Sequence, residues 1–275
     1  MSDSTDSQEL QTVNVVRRGG VATVELNRPT KLNAWDKQFG LDLLHAIETV
    51  GADDSVRAVV IRGAGRGFSA GADLTSMGSG DDHPSTPDGL PDVYKVLTQR
   101  YHPIISGIRK MPKPVVAAVH GPAAGIGCSL ALACDLVVAD PTAYFLLAFV
   151  NIGLVPDGGS SLFIPARIGF ARAAQMAMLG ERVNADQALQ WGLINRVFAD
   201  GTFDQEVDAL MDGLAAGPTA SYAGTKRQLN SWLYARMDEQ LELEATIQQE
   251  MIGSADFTEG VLAFTSKRPP NFCGS

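Results

Sequence analysis

Short β-branched runs alternate with glycine-bearing loops and helix-like stretches about three times along this chain, without a fixed period. Val13–Val16 and Val21–Leu26 flank Gly19-Gly20, a strand–turn–strand pattern that Asn27-Arg28-Pro29 ends. From Asp36 the apolar positions Phe39, Leu43, Ile47 and Val50 recur every three or four residues, which predicts an amphipathic helix. The strand Ala58–Ile61 runs into the glycine-rich stretch Gly63–Gly71. The strand Val115–Val119 runs into Gly121–Gly127 and a helix over Cys128–Ala133. Leu136–Ala139 and Phe145–Val150 read as further strands, and Gly153–Gly159 turns into an apolar segment at Ser160. Strands separated by helices demand a sheet with helices packed on it, an α/β fold.

Beyond Asn184 the character changes. Asn184-Ala185-Asp186-Gln187 resembles a capping box that opens a helix through Trp191. After a short strand at Ile194–Phe198 the pattern is helical over Phe203–Leu214, Ala220–Leu233, Met237–Met251 and Ala255–Ser266. Several of these helices carry too little apolar surface for a packed core and too much for free solvent, so they are expected to dock on another subunit. The expected division is an unpacked tail at 1–10, a core at 11–200 and a helical region at 201–275. Residues 76–92, polar and rich in Pro and Gly, read as a mobile surface loop.

Composition narrows the function. The 275 residues are 45 % hydrophobic and 19 % charged, enough apolar material for a core. The net charge is −9 and the Lys and Arg residues are scattered, which argues against a nucleic-acid partner. The longest apolar run, Ala143–Val150, is far short of the ~20 residues that span a bilayer. No basic start precedes an apolar stretch, so a cytoplasmic protein without a membrane partner is expected. The three cysteines (Cys128, Cys134, Cys273) read as reduced thiols, and the four histidines show no metal-ligand spacing.

Gly67-Phe68-Ser69-Ala70-Gly71 fits the pattern of a serine hydrolase with Ser69 as nucleophile. That pattern places its serine at the strand end, whereas this strand ends near Ile61, and no histidine follows His120. Gly63–Phe68 lacks the last glycine of a dinucleotide loop, and no Gly-Lys-Ser/Thr phosphate loop is present. The glycines make better sense as backbone exposers. Loops at Ser69–Asp73 and Gly125–Gly127, each between strand and helix, could aim main-chain N–H groups at one carbonyl oxygen as an oxyanion hole. Tight turns are the ordinary alternative for such loops.

Five motifs in order make a resemblance specific. They are Asn27-Arg28-Pro29 with Lys31-Leu32-Asn33-Ala34, Phe68–Leu74, Val119–Cys128, Ile152–Gly159, and Glu259-Gly260 through Lys267-Arg268-Pro269. The chain resembles the crotonase superfamily, that is, the enoyl-CoA hydratase/isomerase family, from about residue 13 to residue 272. The resemblance implies a crotonase-like α/β spiral of repeated ββα units with a helical C-terminal oligomerisation region. It implies self-association as a trimer or a dimer of trimers, and an acyl-CoA substrate with no separate cofactor, coenzyme A entering as part of that substrate.

By position, the resemblance makes the N–H groups of Ala72 and Ile126 the oxyanion donors. It places Lys31, Asn33, Ala34, Ala70, Asp73, Leu74, Phe264 and Lys267 against the CoA moiety. The best-known hydratases use two glutamates, and here Ser129 and Phe149 stand at those positions. Asp157 remains, where isomerases of the family carry a catalytic aspartate. One carboxylate plus an oxyanion hole suffices to move a double bond, because the intermediate is a thioester dienolate. Isomerisation is therefore the expected reaction. Hydration of a 2-enoyl-CoA is the alternative within the family, and a serine hydrolase or a non-catalytic acyl-CoA binder are alternatives outside it. Asp135 reads as a structural carboxylate, His120 as a loop hydrogen bonder, and Asp92 and His83 as solvated loop groups.

Overall fold

The computed structural model describes residues 6–75, 84–199 and 201–275. Strands β1 (Asp6–Glu9), β2 (Val13–Arg18) and β3 (Val21–Leu26) form an antiparallel meander. Residues 6–9, expected in an unpacked tail, are thus an edge strand in register with Asn14–Arg17. Main-chain pairing needs no apolar side chain, and charged residues suit an edge because they discourage further pairing. Asp36 accepts from the Phe39 amide at 2.8 Å and caps α1 (Lys37–Ala52), which buries Phe39, Leu43, Ile47 and Val50.

Strand β4 (Ala58–Gly63) lies parallel to β3. Residues 76–83, including His83, lie outside the described residues. Residues 84–92, expected in a mobile loop, form a hydrogen-bonded turn with a Ser85–Pro91 bridge. Asp92 is not a free loop charge: it accepts from the Lys95 amide at 2.9 Å and caps α2 (Val93–Val96). A π-helical stretch at Leu97–Tyr101 leads into α3 (His102–Lys110).

Strand β5 (Val115–Val119) pairs with β4. The chain then leaves the sheet as β6 (Pro122–Ala124), turns into α4 (Ile126–Ala133) and returns as β7 (Leu136–Ala139) beside β5. Strand β8 (Tyr144–Leu146) lies parallel to β6 and is shorter than the expected 145–150, because a 3-10 turn at Val150–Ile152 follows. Helix α5 (Ser160–Leu179) precedes β9 (Val183–Asn184) and α6 (Ala185–Trp191), which Asn184 caps by accepting from the Gln187 amide at 2.9 Å. The last strand, β10, covers only Arg196–Val197 of the expected 194–198. Helices α7 (Phe203–Ala216), α8 (Thr219–Leu233), α9 (Met237–Ile252) and α10 (Ala255–Thr265) complete the chain.

The larger sheet runs β1-β2-β3-β4-β5-β7-β10, parallel from β3 onward, and a smaller sheet runs β6-β8-β9. This is the expected α/β architecture with a helical C-terminal region. Side chains alternate across β4: Val59 and Ile61 face the main core with α1 and α3, while Ala58 and Val60 face a second cluster. Val207, Met211 and Ala215 of α7 fill that second cluster. So α7 docks on its own sheet rather than awaiting another subunit, and α9 likewise buries Leu241, Ala245 and Ile252 within the chain. Helix α8 differs: Leu229, Trp232 and Leu233 stay exposed, Trp232 by 85 %.

Candidate active site

The two glycine loops are sewn together by main-chain hydrogen bonds. The Ser69 amide donates to Pro122 O at 2.8 Å and the Ala124 amide to Ser69 O at 2.9 Å, a parallel bridge between Ser69 and Ala123. Three residues beyond that rung on each strand stand Ala72 and Ile126. Gly71 allows the approach: at φ 93° it lies in the left-handed region, and a Cβ there would meet Ala124 O at 2.8 Å. On the first loop the Trp35 amide donates to Gly71 O and the Asp73 amide to Trp35 O. Alternation along the chain therefore turns the Ala72 amide the other way. On the second loop Ile126 is the first residue of α4, whose leading amides have no intrahelical acceptor. Among the described residues neither amide donates to the protein.

Both positions line a cavity of about 330 Å³. Trp35, Tyr101, Val96, Leu97, Phe149 and Ile152 supply apolar wall, with Tyr101 edge-on to Trp35 at 4.9 Å between centroids. Asp73 and Asp157 both border this cavity, and their surroundings separate them. Asp73 accepts from the Thr75 amide and hydroxyl at 3.2 and 2.6 Å and pairs with Arg28 at 3.4 Å. Burial works against its charge, but the Thr75 bonds and the Lys31 and Arg28 charges hold its carboxyl below the ordinary value.

Asp157 is 5 % exposed. Its Oδ2 accepts from Gln248 Nε2 at 2.9 Å, and its Oδ1 has no partner among the described residues. Burial pushes this carboxyl up to about 8, opposed by the Gln248 bond and reinforced by the charge of Glu244. Ser129 is also fully buried, and its hydroxyl donates to Asp157 O at 2.7 Å, fixing the turn from the α4 side. Gly158 permits the contact with α4: at φ 63°, its Cβ would lie 2.3 Å from Ile126 Cδ1.

Residues 17–275 match the family model described as enoyl-CoA hydratase/isomerase. The chain belongs to the enoyl-CoA hydratase/isomerase family. It is 40 % identical over 256 residues to the 1,2-epoxyphenylacetyl-CoA isomerase of Escherichia coli K12, covering 93 % of this chain and 95 % of that one. It is also 40 % identical to a Rhodobacter capsulatus protein named "Probable enoyl-CoA hydratase", at 93 % and 95 % coverage. The crystal structure of an enoyl-CoA hydratase from Mycobacterium avium subsp. paratuberculosis K-10 superposes with a TM-score of 0.86. That protein is 38 % identical, with 96 % of this chain and 100 % of that chain covered.

In this enoyl-CoA hydratase/isomerase family member, Ala70, Ala72, Asp73, Leu74, Ile126, Phe149, Asp157 and Phe264 share the one cavity. Lys31 is exposed outside it, as is Lys267, and Arg268 is the basic residue on the lining. Asn33 and Ala34 are buried and do not line it. Asn33 instead pins the first loop: its Nδ2 lies 2.9–3.1 Å from the carbonyls of Ala64, Gly67 and Phe68. Ser69 is likewise consumed by structure. Fully buried, it donates to Asn33 O and accepts from Trp35 Nε1, and among the described residues no histidine nitrogen is a hydrogen-bond partner that would make it a hydrolase nucleophile. Sequence reading missed Trp35, Tyr101, Glu244, Gln248 and Arg268. Only Glu244 and Gln248 carried a signal, two polar residues four apart on the face that also bears Leu241 and Ala245.

No group of three His, Cys, Asp or Glu among the described residues could hold a metal ion. No described helix is long and apolar enough to cross a membrane.

Proposed function

We propose that this protein moves a carbon–carbon double bond within an acyl-CoA thioester, with Asp157 as the single proton carrier. One observation supports the reading above all: the cavity-lining carboxyl of Asp157 has one oxygen, Oδ1, with no hydrogen-bond partner among the described residues, while Ser129 and Phe149 stand at the positions that the family resemblance gives to a hydratase's two acids. The thioester oxygen would accept from the Ala72 and Ile126 amides, each such donor supplying about 2.7–4 kcal/mol to a developing oxyanion. In its charged form Asp157 removes a proton from one carbon of the acyl chain, leaving a dienolate held by those amides. It then returns the proton to a second carbon, so the carboxylate is regenerated and the formula is unchanged.

A base held near pH 8 by burial is protonated in neutral solution, so turnover should rise with pH into that range. Phe264, Asp73 and Leu74 are the CoA-side contacts in this reading, with Lys31, Lys267 and Arg268 supplying positive charge for phosphates. No separate cofactor takes part, and the setting is the cytoplasm. The exposed α8 face, with Leu229, Trp232 and Leu233, supports self-association as a trimer or dimer of trimers, which light scattering on the purified protein checks.

The deciding experiment follows α- and γ-proton exchange of enoyl-CoA thioesters in deuterated water. The native protein should exchange both, and Asp157→Asn should bind thioester yet exchange about 10²–10⁴-fold more slowly. Rapid water addition by the native enzyme would establish hydration instead, and binding without exchange would leave a carrier.

A further inference from the structure

The turn that carries Asp157 is gripped by one face of α9. The Val155 amide donates to Gln248 Oε1 at 3.1 Å. The Gly159 and Ser161 amides donate to the Glu244 carboxylate at 2.7 and 3.1 Å, closing the start of α5. Gln240 donates to Ser161 Oγ at 3.0 Å. These three residues are spaced by four, so they form a single row along the helix.

Gln248 has a special place in that row. It is 1 % exposed, and its two amide atoms are not interchangeable. The oxygen must accept from a main-chain N–H, so the nitrogen can only donate, and the group it meets is Oδ2 of Asp157. Among the described residues no other group donates to the carboxyl. Ser129 touches the main-chain oxygen, Glu244 adds like charge, and Tyr101 lines the same cavity with no hydrogen bond to the acid among the described residues. From this geometry we infer that Gln248 is a positioning residue of the reaction: its amide orients the Asp157 carboxyl and, as its one hydrogen-bond donor among the described residues, makes the charged form attainable inside an apolar wall. The inference rests on Asp157 being the proton carrier.

The test reads the acid directly and separately from turnover. Infrared difference spectra, with Asp157→Asn assigning the carboxyl band, give the titration midpoint of Asp157 in the ligand-free protein. Gln248→Met keeps the bulk and loses the donor, so the midpoint should rise by about one pH unit or more. Proton exchange at pH 7 should fall about tenfold and recover as pH is raised. Gln248→Glu, which keeps an acceptor for the Val155 amide but sets acid against acid, should raise the midpoint further and serves if the methionine variant fails to fold. Gln240→Met loosens the same grip away from the acid and should leave the midpoint in place. An unmoved midpoint in both Gln248 variants, or an equal shift in Gln240→Met, overturns the inference. A shifted midpoint together with full exchange by Asp157→Asn would instead retain the Gln248–Asp157 coupling and remove the proposed function.

Discussion

Asp73 on the first glycine loop and Asp157 on the turn before α5 border one cavity and carry the same carboxyl, yet their surroundings drive them apart. Asp73 sits among a hydroxyl, an amide and an arginine that reward charge, whereas Asp157 has one amide donor, a neighbouring carboxylate and a hydrophobic wall. The first is fixed as an anion that shapes the loop. The second is held where a proton can come and go. Residue type therefore says little about role here, and the number of donors facing each carboxylate says most.

The sharpest way to break the comparison is to neutralise both acids in turn. Asp157→Asn should carry the exchange loss given above, while Asp73→Asn should cost far less, since it leaves the proposed proton carrier in place. Equal losses would mean that the two acids do not differ in role. A smaller effect, about 10²–10³-fold in kcat, is expected for Ile126→Pro, which deletes one proposed oxyanion donor at the first position of a helix, where proline is well accepted. Steady-state kinetics with the same thioester check it.

Stability supplies a third contrast. Because the folded protein holds the Asp157 proton from about pH 4 up to about 8 while the unfolded chain releases it, this group lowers stability as pH rises through that window. Asp157→Asn should therefore raise Tm more at pH 9 than at pH 5, and Asp73→Asn should not; calorimetry at the two pH values reads both. Least of all, Ser129→Ala removes one bond to Asp157 O, which keeps the Ser160 hydroxyl, and should lower stability by about 0.5–1.5 kcal/mol in urea unfolding.

The comparison also marks what sequence reading could reach. The proposed oxyanion side is built from main chain, so glycines and strand ends announce it locally, and the same loops carry the family resemblance. Asp157 was legible for that reason too. Its supporting amide was only faintly so: Gln248 shares a helix face with Leu241 and Ala245, but it lies 91 positions from Asp157 and nothing in that spacing names its partner. Asn33, which the resemblance sets against the CoA moiety, satisfies three carbonyls beneath the loop and does not line the cavity. Strand β1 escaped because edge pairing leaves no hydrophobic period to detect.

The rung between Ser69 and Ala123 works as a ruler. Both donors are counted from it, three steps along each strand, so what selection must preserve there is spacing rather than side-chain identity. Any residue except proline can supply the amide at position 126, but inserting or deleting a single residue between Ser69 and Ala72, or between Ala123 and Ile126, should turn one amide away from the cavity while leaving the rung itself in place.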